Sequence, residues 1–247
     1  MKRMKCSVDS LLLLCLLVWG LPVDSVRLQR QQASKFKAFV INRDVDHERL
    51  ATFAASARAA NVTYERFPAV DKNALTLSAL FNDPDVSAKV MERIRSDPRT
   101  KGSFACSLSH LRLWKRLESE PAGTSFLIFE DDSVLPKEFH ARLSTALENA
   151  PSDWDVLYLN HNTLVGTKIN TNWLKPKNNP GFGKNALLNA YVMTRAGAQR
   201  LLRFMSPITY TTCVDVRLRQ HFDDFSAYFL VTPLVPTSGA PSVRVSK

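Results

Sequence analysis

Residues 125–136 read SFLIFEDDSVLP, and this stretch decides the predicted fold. Four apolar residues lead directly into three consecutive carboxylates, Glu130, Asp131 and Asp132, and a proline closes the segment. An apolar run of this kind is typical of a central strand that is covered on both faces. Because ligands of open α/β sheets bind beyond the carboxyl ends of the strands, the acidic triplet is expected at the edge of the sheet that carries a binding site.

Strand and helix patterns alternate on both sides of this stretch. Such an alternation favours a single α/β domain with an open, mostly parallel sheet and flanking helices. The further strand candidates are FKAFVIN (36–42), YERFPAV (64–70), WDVLYLN (154–160), LLNAYVMT (187–194) and SAYFLVT (226–232). The helix candidates run from about 43 to 60 and over 103–119, 195–205 and 214–221.

The clearest helix pattern lies just before the acidic stretch, at residues 103–119. Apolar residues recur there at three- and four-residue spacing, and Ser103 is the expected N-cap. Trp114 lies on this apolar stripe and is expected in the core, and Thr194 is the expected N-cap of the helix at 195–205. The Gly-, Asn-, Pro- and Lys-rich stretch that ends at Lys184 is predicted to be a loop.

The first 25 residues have the pattern of a secretory signal peptide. Three Lys/Arg residues precede an apolar run from 11 to 23, which is shorter than the hydrocarbon core of a membrane, so a permanent membrane anchor is the weaker alternative. The predicted division is a signal peptide at 1–25 and one domain at 26–247, with its ordered core at about 36–235. The expected location is the lumen of the secretory pathway, in the endoplasmic reticulum or Golgi, or outside the cell.

The chain is basic, with a formal net charge of +10. Removal of residues 1–25 takes away three Lys/Arg and two Asp and leaves +9. A basic surface can concentrate an anionic partner such as a nucleotide, but no Lys/Arg block or zinc-ligand spacing predicts nucleic-acid binding. Outside the signal, Cys106 and Cys213 could pair or remain as two free thiols. Asn61 begins an N-glycosylation acceptor pattern.

The acidic triplet itself suggests a metal site. If the backbone stays extended, Glu130 and Asp132 point to one side and Asp131 to the other. Two carboxylates about 5 Å apart repel by roughly 3 kcal/mol at an effective dielectric of 20, and a divalent cation such as Mn²⁺ or Mg²⁺ would reverse this repulsion. The alternatives are a solvated acidic turn and a glycoside hydrolase, although a hydrolase needs carboxylates on opposite sides of a sugar.

Five blocks of the sequence carry a resemblance to a known family. They are AFVINRDVDHERL, YERFPAVD, KGSFACSLSHLRLWKRL, FLIFEDDSVL and NAYVMTRAGAQRLL. Their order and spacing resemble glycosyltransferase family 25, which includes bacterial lipopolysaccharide galactosyltransferases and procollagen galactosyltransferases of the secretory pathway. The resemblance covers about residues 36–235. It implies a GT-A-type enzyme that transfers a sugar, typically galactose, from a UDP-sugar with the help of Mn²⁺.

The resemblance also suggests roles for individual residues near the nucleotide. Glu130, Asp131 and Asp132 match the acidic motif of the family; we assign Glu130 and Asp132 to the metal and Asp131 to the donor. Asn42 and Arg43 match a segment that lies near the nucleotide in this fold.

Three further residues are candidates on the acceptor or donor side. Ser109 and His110 precede the triplet on the predicted helix. They could contact the donor or the acceptor, or they could simply pack beside the apolar stripe. Asp215 is the candidate base for the acceptor hydroxyl, since the family has an aspartate at a similar place. His221 could instead complete the metal shell.

Two departures from the family pattern concern the acceptor and the cellular location. KNALLNAYVMT (184–194) lacks the glycine and threonine that are usual before this strand, and VRVSK at the end of the chain is not a retrieval signal of the endoplasmic reticulum.

The sequence therefore predicts a metal-dependent hexosyltransferase that moves a hexose, first of all galactose, from a UDP-sugar to a hydroxyl of a protein or glycan. Collagen-type hydroxylysine is the expected protein acceptor. The alternative is a non-catalytic lumenal binding protein that keeps the fold. Neither reading includes a nucleic-acid partner or a permanent membrane span.

Overall fold

A computed structural model describes residues 36–239 of the chain, which form one α/β domain with a sheet between two layers of helices. The predicted signal peptide at 1–25 lies outside the described residues. None of the helices between residues 36 and 239 is long and apolar enough to cross a membrane.

Eight strands form one open sheet within the described residues, in the order β2-β1-β3-β7-β4-β8-β6-β5. The strands are β1 (Phe36–Asn42), β2 (Glu65–Pro68), β3 (Ser125–Glu130), β4 (Val156–Tyr158), β5 (Gly166–Lys168), β6 (Trp173–Pro176), β7 (Ala190–Thr194) and β8 (Ala227–Leu230). The helices are α1 (His47–Ala59), α2 (Leu77–Phe81), α3 (Ala88–Ser96), α4 (Lys101–Glu118), α5 (Phe139–Glu148), α6 (Arg195–Met205) and α7 (Val214–Leu218).

The open α/β sheet in one domain is confirmed, and its strand directions are more mixed than the sequence predicts. β1 pairs in parallel with both β2 and β3, and β4 pairs in parallel with β8. The reversed strand β7 lies between β3 and β4, and the reversed strand β6 lies between β8 and β5. Six of the eight described strands thus share one direction, although most neighbouring pairs beyond β3 are antiparallel. A connecting helix makes two successive strands parallel. It does not prevent a strand from later in the chain from inserting between these two strands in the sheet.

Each face of the sheet has its own apolar core. On one face α4 and α6 pack over side chains of β1, β3 and β7, and Trp114 is fully buried there, as predicted. On the other face α1 and α5 cover the alternate side chains of the same strands. This alternation sends the last side chain of β3, Glu130, toward α4 and the next residue, Asp131, toward α1.

Helix boundaries and loops confirm some sequence predictions and correct others. Thr194 caps α6, where its hydroxyl accepts a hydrogen bond from Gly197 N at 2.9 Å. Ser103 does not cap α4, because the helix begins two residues earlier at Lys101 and continues from a short 3₁₀ turn. The stretch that was predicted as loop before Lys184 contains the hairpin of β5 and β6, whose short strands give too little alternation to detect.

The two cysteines of the described region do not pair. Neither forms a disulfide: Cys213 Sγ donates to Ser103 Oγ at 3.2 Å, and Cys106 Sγ donates to Glu130 Oε1 at 3.9 Å. Asn61 is exposed in the turn after α1, where it has a positive φ of 55°. An exposed turn is compatible with the predicted glycosylation pattern.

Candidate active site

The parallel strands β1, β2 and β3 end at one edge of the sheet, and a cleft opens there between α1 and α4. Asn42 ends β1, Glu130 ends β3, and Ala69 and Val70 follow β2; all four line this cleft. The acidic triplet therefore lies at the predicted edge. We refer to this depression as the β1–β3 cleft.

Asp131 is held at the cleft by two partners from the first βα unit. Asn42 Nδ2 donates to Asp131 Oδ2 at 2.8 Å, and Arg49 Nε donates to Asp131 Oδ1 at 2.8 Å. Asn42 is fixed in turn by Arg66, whose Nε donates to Asn42 Oδ1 at 2.9 Å. Because both Asp131 and Asn42 are almost fully buried, this network keeps the carboxylate in one position.

Arg49 also contacts the third carboxylate of the triplet. Its guanidinium lies 3.5 Å from Asp132 Oδ2 as well as against Asp131. Burial lowers the pKa of Arg49, but hydrogen bonding and charge attraction from Asp131 outweigh this effect and raise it overall. Arg49 is therefore a permanent cation beside the triplet.

The expected alternation along the triplet holds for two residues and fails at the third. Strand β3 ends at Glu130, and the chain turns so that Ser133 N donates to Glu130 O at 3.1 Å. Glu130 faces His110 on α4, whereas Asp131 and Asp132 both contact Arg49 on α1. Glu130 and Asp132 therefore do not share one face, because the extended geometry ends before Asp132.

A second ion-pair cluster lies at the mouth of the cleft. Arg43 donates to both carboxylate oxygens of Asp46, at 2.6 and 2.8 Å, and to Asp71 Oδ1 at 3.1 Å. The hydrogen bonds to Asp46 are the main reason that the pKa of Arg43 is raised. Lys72 also lines the cleft. Three cationic side chains, those of Arg43, Arg49 and Lys72, therefore surround its opening.

Ser109 has a structural contact at the cleft wall. Its hydroxyl donates to Ala105 O at 2.7 Å within α4 and accepts from Val70 N at 2.9 Å. The serine thereby fastens the segment after β2 to α4. Both hydrogen bonds are internal to the protein, so its predicted contact with a cofactor stays a prediction.

His110 lines the cleft and is almost fully buried. Its Nε2 is 3.1 Å from Glu130 Oε1, and its Nδ1 is 2.9 Å from Tyr191 Oη. Trp114 Nε1 donates to the same Tyr191 hydroxyl at 2.8 Å. Burial raises the pKa of Tyr191 well above its ordinary value, so this hydroxyl keeps its proton.

Cys106, His110 and Glu130 form one group of potential metal ligands. Their ligand atoms all lie within 4.8 Å of one another, and all three residues line the cleft. A thiol, an imidazole and a carboxylate at such spacing resemble a zinc site more than a magnesium or manganese site.

Asp215 lies apart from the residues that line the cleft. It is on α7, where its Oδ2 accepts from Leu187 N at 3.3 Å and its Oδ1 accepts from Val216 N at 2.8 Å. These contacts put it beside the loop that enters β7. His221 does not approach the triplet: its Nδ1 is paired with Asp224 Oδ2 at 2.7 Å, and its ring stacks on Phe204.

The structure adds site residues that the sequence reasoning missed. Arg49 is the most important, and Tyr191 and Cys106 are the others. The charged segment after β1 marks Arg49 as a helix residue, but only the folded chain brings it to Asp131, 82 positions away. Tyr191 lies in an apolar strand, and the sequence around it does not indicate that its hydroxyl contacts side chains on α4.

The chain was also compared with known proteins. The family description "Glycosyltransferase family 25 (LPS biosynthesis protein)" matches residues 35–218, about three quarters of the chain. None of the curated proteins matches it. The matched range contains the whole β1–β3 cleft and also Asp215.

Proposed function

The chain belongs to glycosyltransferase family 25, and we propose that it transfers a hexose, galactose before others, from a UDP-sugar to an acceptor hydroxyl. The observation that carries this proposal is the β1–β3 cleft, where an acidic turn lies among the cationic side chains Arg43, Arg49 and Lys72. The cations complement the phosphates of a nucleotide-sugar, and the carboxylates suit the cation that usually accompanies a diphosphate.

The donor set of the acidic turn fits a divalent cation such as Mn²⁺ or Mg²⁺. Carboxylate oxygens are the ligands that these ions prefer, and Glu130 and Asp132 would hold the ion. Their side chains lie on different faces, so one of them has to rotate toward the other when the ion binds. When bound, such an ion supplies positive charge beside the diphosphate of the donor.

The chain's own cations have the main electrostatic role in this proposal. Sugar transfer leaves new negative charge on the departing UDP, and fixed positive groups stabilise that charge without having to reorganise. Arg43 is fixed by two carboxylates and Arg49 by the acidic turn, so both are held in place before the donor arrives. Lys72 adds a third positive charge at the opening.

Asp215 is the proposed base for the acceptor hydroxyl. Its carboxylate is oriented by two backbone N–H groups, and it borders the loop that leads into β7. A positioned carboxylate can take the proton of the hydroxyl as the new glycosidic bond forms. In this scheme the donor binds in the β1–β3 cleft and the acceptor approaches from the side of α7.

The acceptor and the location rest on the sequence alone. Collagen-type hydroxylysine in a lumenal or secreted setting follows from the family resemblance together with the signal-like residues 1–25. A glycan hydroxyl is the other acceptor class.

A transfer assay tests the proposal. The protein is incubated with Mn²⁺, a panel of UDP-hexoses and either hydroxylysine peptides or glycan acceptors, and release of UDP is measured. We expect acceptor-dependent release with UDP-galactose, loss of release in Asp132→Ala, and normal release in Asp223→Ala, which removes an exposed carboxylate elsewhere. Failure to release UDP from every donor, or equal activity of both variants, would contradict the proposal.

A further inference from the structure

Four side chains form a line of hydrogen bonds from the core of α4 to the end of β3. Trp114 Nε1 lies 2.8 Å from Tyr191 Oη, Tyr191 Oη lies 2.9 Å from His110 Nδ1, and His110 Nε2 lies 3.1 Å from Glu130 Oε1. Trp114, Tyr191 and His110 are almost fully buried, so no solvent competes for the two contacts among them, whereas Glu130 is partly exposed at the cleft.

The direction of each hydrogen bond follows from the number of protons available. The indole of Trp114 can only donate, so the Tyr191 oxygen accepts from it. The Tyr191 hydroxyl has one proton, and His110 Nδ1 is its one other hydrogen-bond neighbour among residues 36–239. A buried hydroxyl without an acceptor is unfavourable, so its proton points to Nδ1.

This direction determines which nitrogen of His110 carries the proton. Since Nδ1 accepts from Tyr191, the ring proton is on Nε2, where it faces Glu130. The opposite tautomer would bring a lone pair of Nε2 against a carboxylate oxygen and would leave the Tyr191 proton without an acceptor. Two unfavourable contacts therefore exclude it.

We propose that Trp114 and Tyr191 fix His110 in its Nε2–H form, so that His110 is a positioning residue that holds Glu130 and is not a metal ligand. Cys106 Sγ donates to the same oxygen, Oε1, so two donors fix that oxygen. In the Cys106–His110–Glu130 group, the carboxylate thus accepts hydrogen bonds from the thiol and the imidazole, although the spacing of the three residues resembles that of a zinc site. The benefit to donor binding rests on the proposed function, whereas the position of the proton does not.

Nitrogen NMR of the full chain with ¹⁵N-labelled histidine tests the position of the proton directly. The sequence has five histidines, and His110→Gln identifies the signals of His110 by their loss. We expect a proton on Nε2 and none on Nδ1. Tyr191→Phe removes the donor to Nδ1 but leaves Glu130 beside Nε2, so it should raise the fraction of the Nδ1–H form without abolishing the Nε2–H form. A proton on Nδ1 in the unchanged protein, or an unchanged fraction of the two forms in Tyr191→Phe, would overturn the proposal.

Metal titration tests the alternative, in which Cys106, His110 and Glu130 together bind a metal ion. Addition of Co²⁺ to the full chain should give no thiolate-to-cobalt absorption band, even when the carboxylates of the acidic turn bind the ion. A thiolate band that disappears in Cys106→Ser would make the group a metal site and would overturn the positioning role.

Two substitutions of His110 separate positioning from ligation. A glutamine amide nitrogen reaches about as far as Nε2 and still donates, whereas alanine does not. We expect His110→Gln to keep UDP affinity in the presence of Mn²⁺ within about threefold, and His110→Ala to weaken it about tenfold or more, which corresponds to about 1.4 kcal/mol. Equal loss in both variants would contradict the positioning role. If neither the unchanged protein nor any variant binds UDP, the proposed function fails, while the NMR result still decides the tautomer.

Discussion

The two halves of the sheet hold their functional surfaces in different ways. At the ends of β1 and β3, polar side chains surround two carboxylates: Asn42 and Arg49 hold Asp131, and His110 contacts Glu130. Around β4 to β8, neutral asparagines bind the backbone of loops. Asn185 Oδ1, for example, accepts from Val165 N at 2.8 Å while its Nδ2 donates to Val165 O at 2.7 Å.

If the proposed function holds, this difference separates donor binding from acceptor binding. Prearranged charge suits a donor whose diphosphate is the same in every reaction. Loops whose backbone is fixed by asparagine side chains suit an acceptor that is recognised by shape complementarity. We therefore expect substitutions in the first half to act through charge and those in the second half to act on the acceptor or on the transfer step.

The largest effect on activity is expected from Asp215→Asn, in the second half. Loss of a general base lowers the rate by about 10²–10⁴-fold, while UDP affinity should stay nearly unchanged because Asp215 does not line the β1–β3 cleft. Turnover and UDP titration of the same preparation measure both quantities. Asp224→Asn, which removes an exposed partner of His221, is the control, and unchanged turnover in Asp215→Asn would remove it as the base.

The largest effect on stability is expected in the first half, from Arg49→Met. The carboxylate of Asp131 would remain buried without its cation, and loss of one partner of a buried ion pair costs about 3 kcal/mol. Lys37→Met is the matched control, because the Lys37–Glu120 pair is at the surface and contributes at most about 1 kcal/mol. Denaturant unfolding measures both variants, and equal free energies of unfolding would show that Arg49 does not stabilise the turn.

A smaller effect is expected from Phe182→Ala in the second half. Phe182 is 96% exposed at a loop tip, between two glycines with positive φ. The loop is anchored because Arg219 Nη1 donates to Gly181 O at 2.9 Å. If this aromatic side chain contacts the acceptor, the acceptor KM should rise about three- to tenfold, with no change in UDP affinity and within about 0.5 kcal/mol of the original stability. A change in UDP affinity alone would place the loop on the donor side.

The smallest effect concerns the pH dependence of stability. Hydrogen bonding from Tyr228 is the main reason that the pKa of Asp153 is lowered, so Asp153 contributes stability above its unfolded pKa of about 4 that is lost as the pH falls through the folded value. Tyr228→Phe should lower the free energy of unfolding by less than about 1 kcal/mol above pH 5, because Asp153 is largely solvent-screened. The difference should narrow below pH 4 and should not vary with pH in an Asp153→Asn background. A constant difference in both backgrounds would refute the linkage.

The sequence predicts the first half of the molecule better than the second. The β1, α1, α4 and β3 segments have clear apolar runs or helical periodicity. Thr194, outside this half, is also predicted as a cap, because hydroxyl capping depends on local sequence alone. The insertion of β7 between β3 and β4 and the short β5–β6 hairpin depend on contacts between distant segments, which periodicity does not report.

The same limit applies to the site. The acidic turn can be recognised because its three carboxylates are adjacent in the sequence. Arg49 cannot, because its role exists only where α1 passes the end of β3. Asp132 turns away from the face of Glu130 because the strand stops one residue after the apolar run, and composition does not reveal that point.

Calorimetric titration with UDP, with and without Mn²⁺, tests the central claim most directly, with Asp132→Ala measured beside the unchanged protein. We expect binding that requires the metal and is lost in the variant, since the acidic turn would hold the metal ion and the surrounding cationic side chains would hold the diphosphate. A folded protein that binds neither UDP nor Mn²⁺ would contradict it, and would instead favour a non-catalytic binding protein that keeps the glycosyltransferase fold.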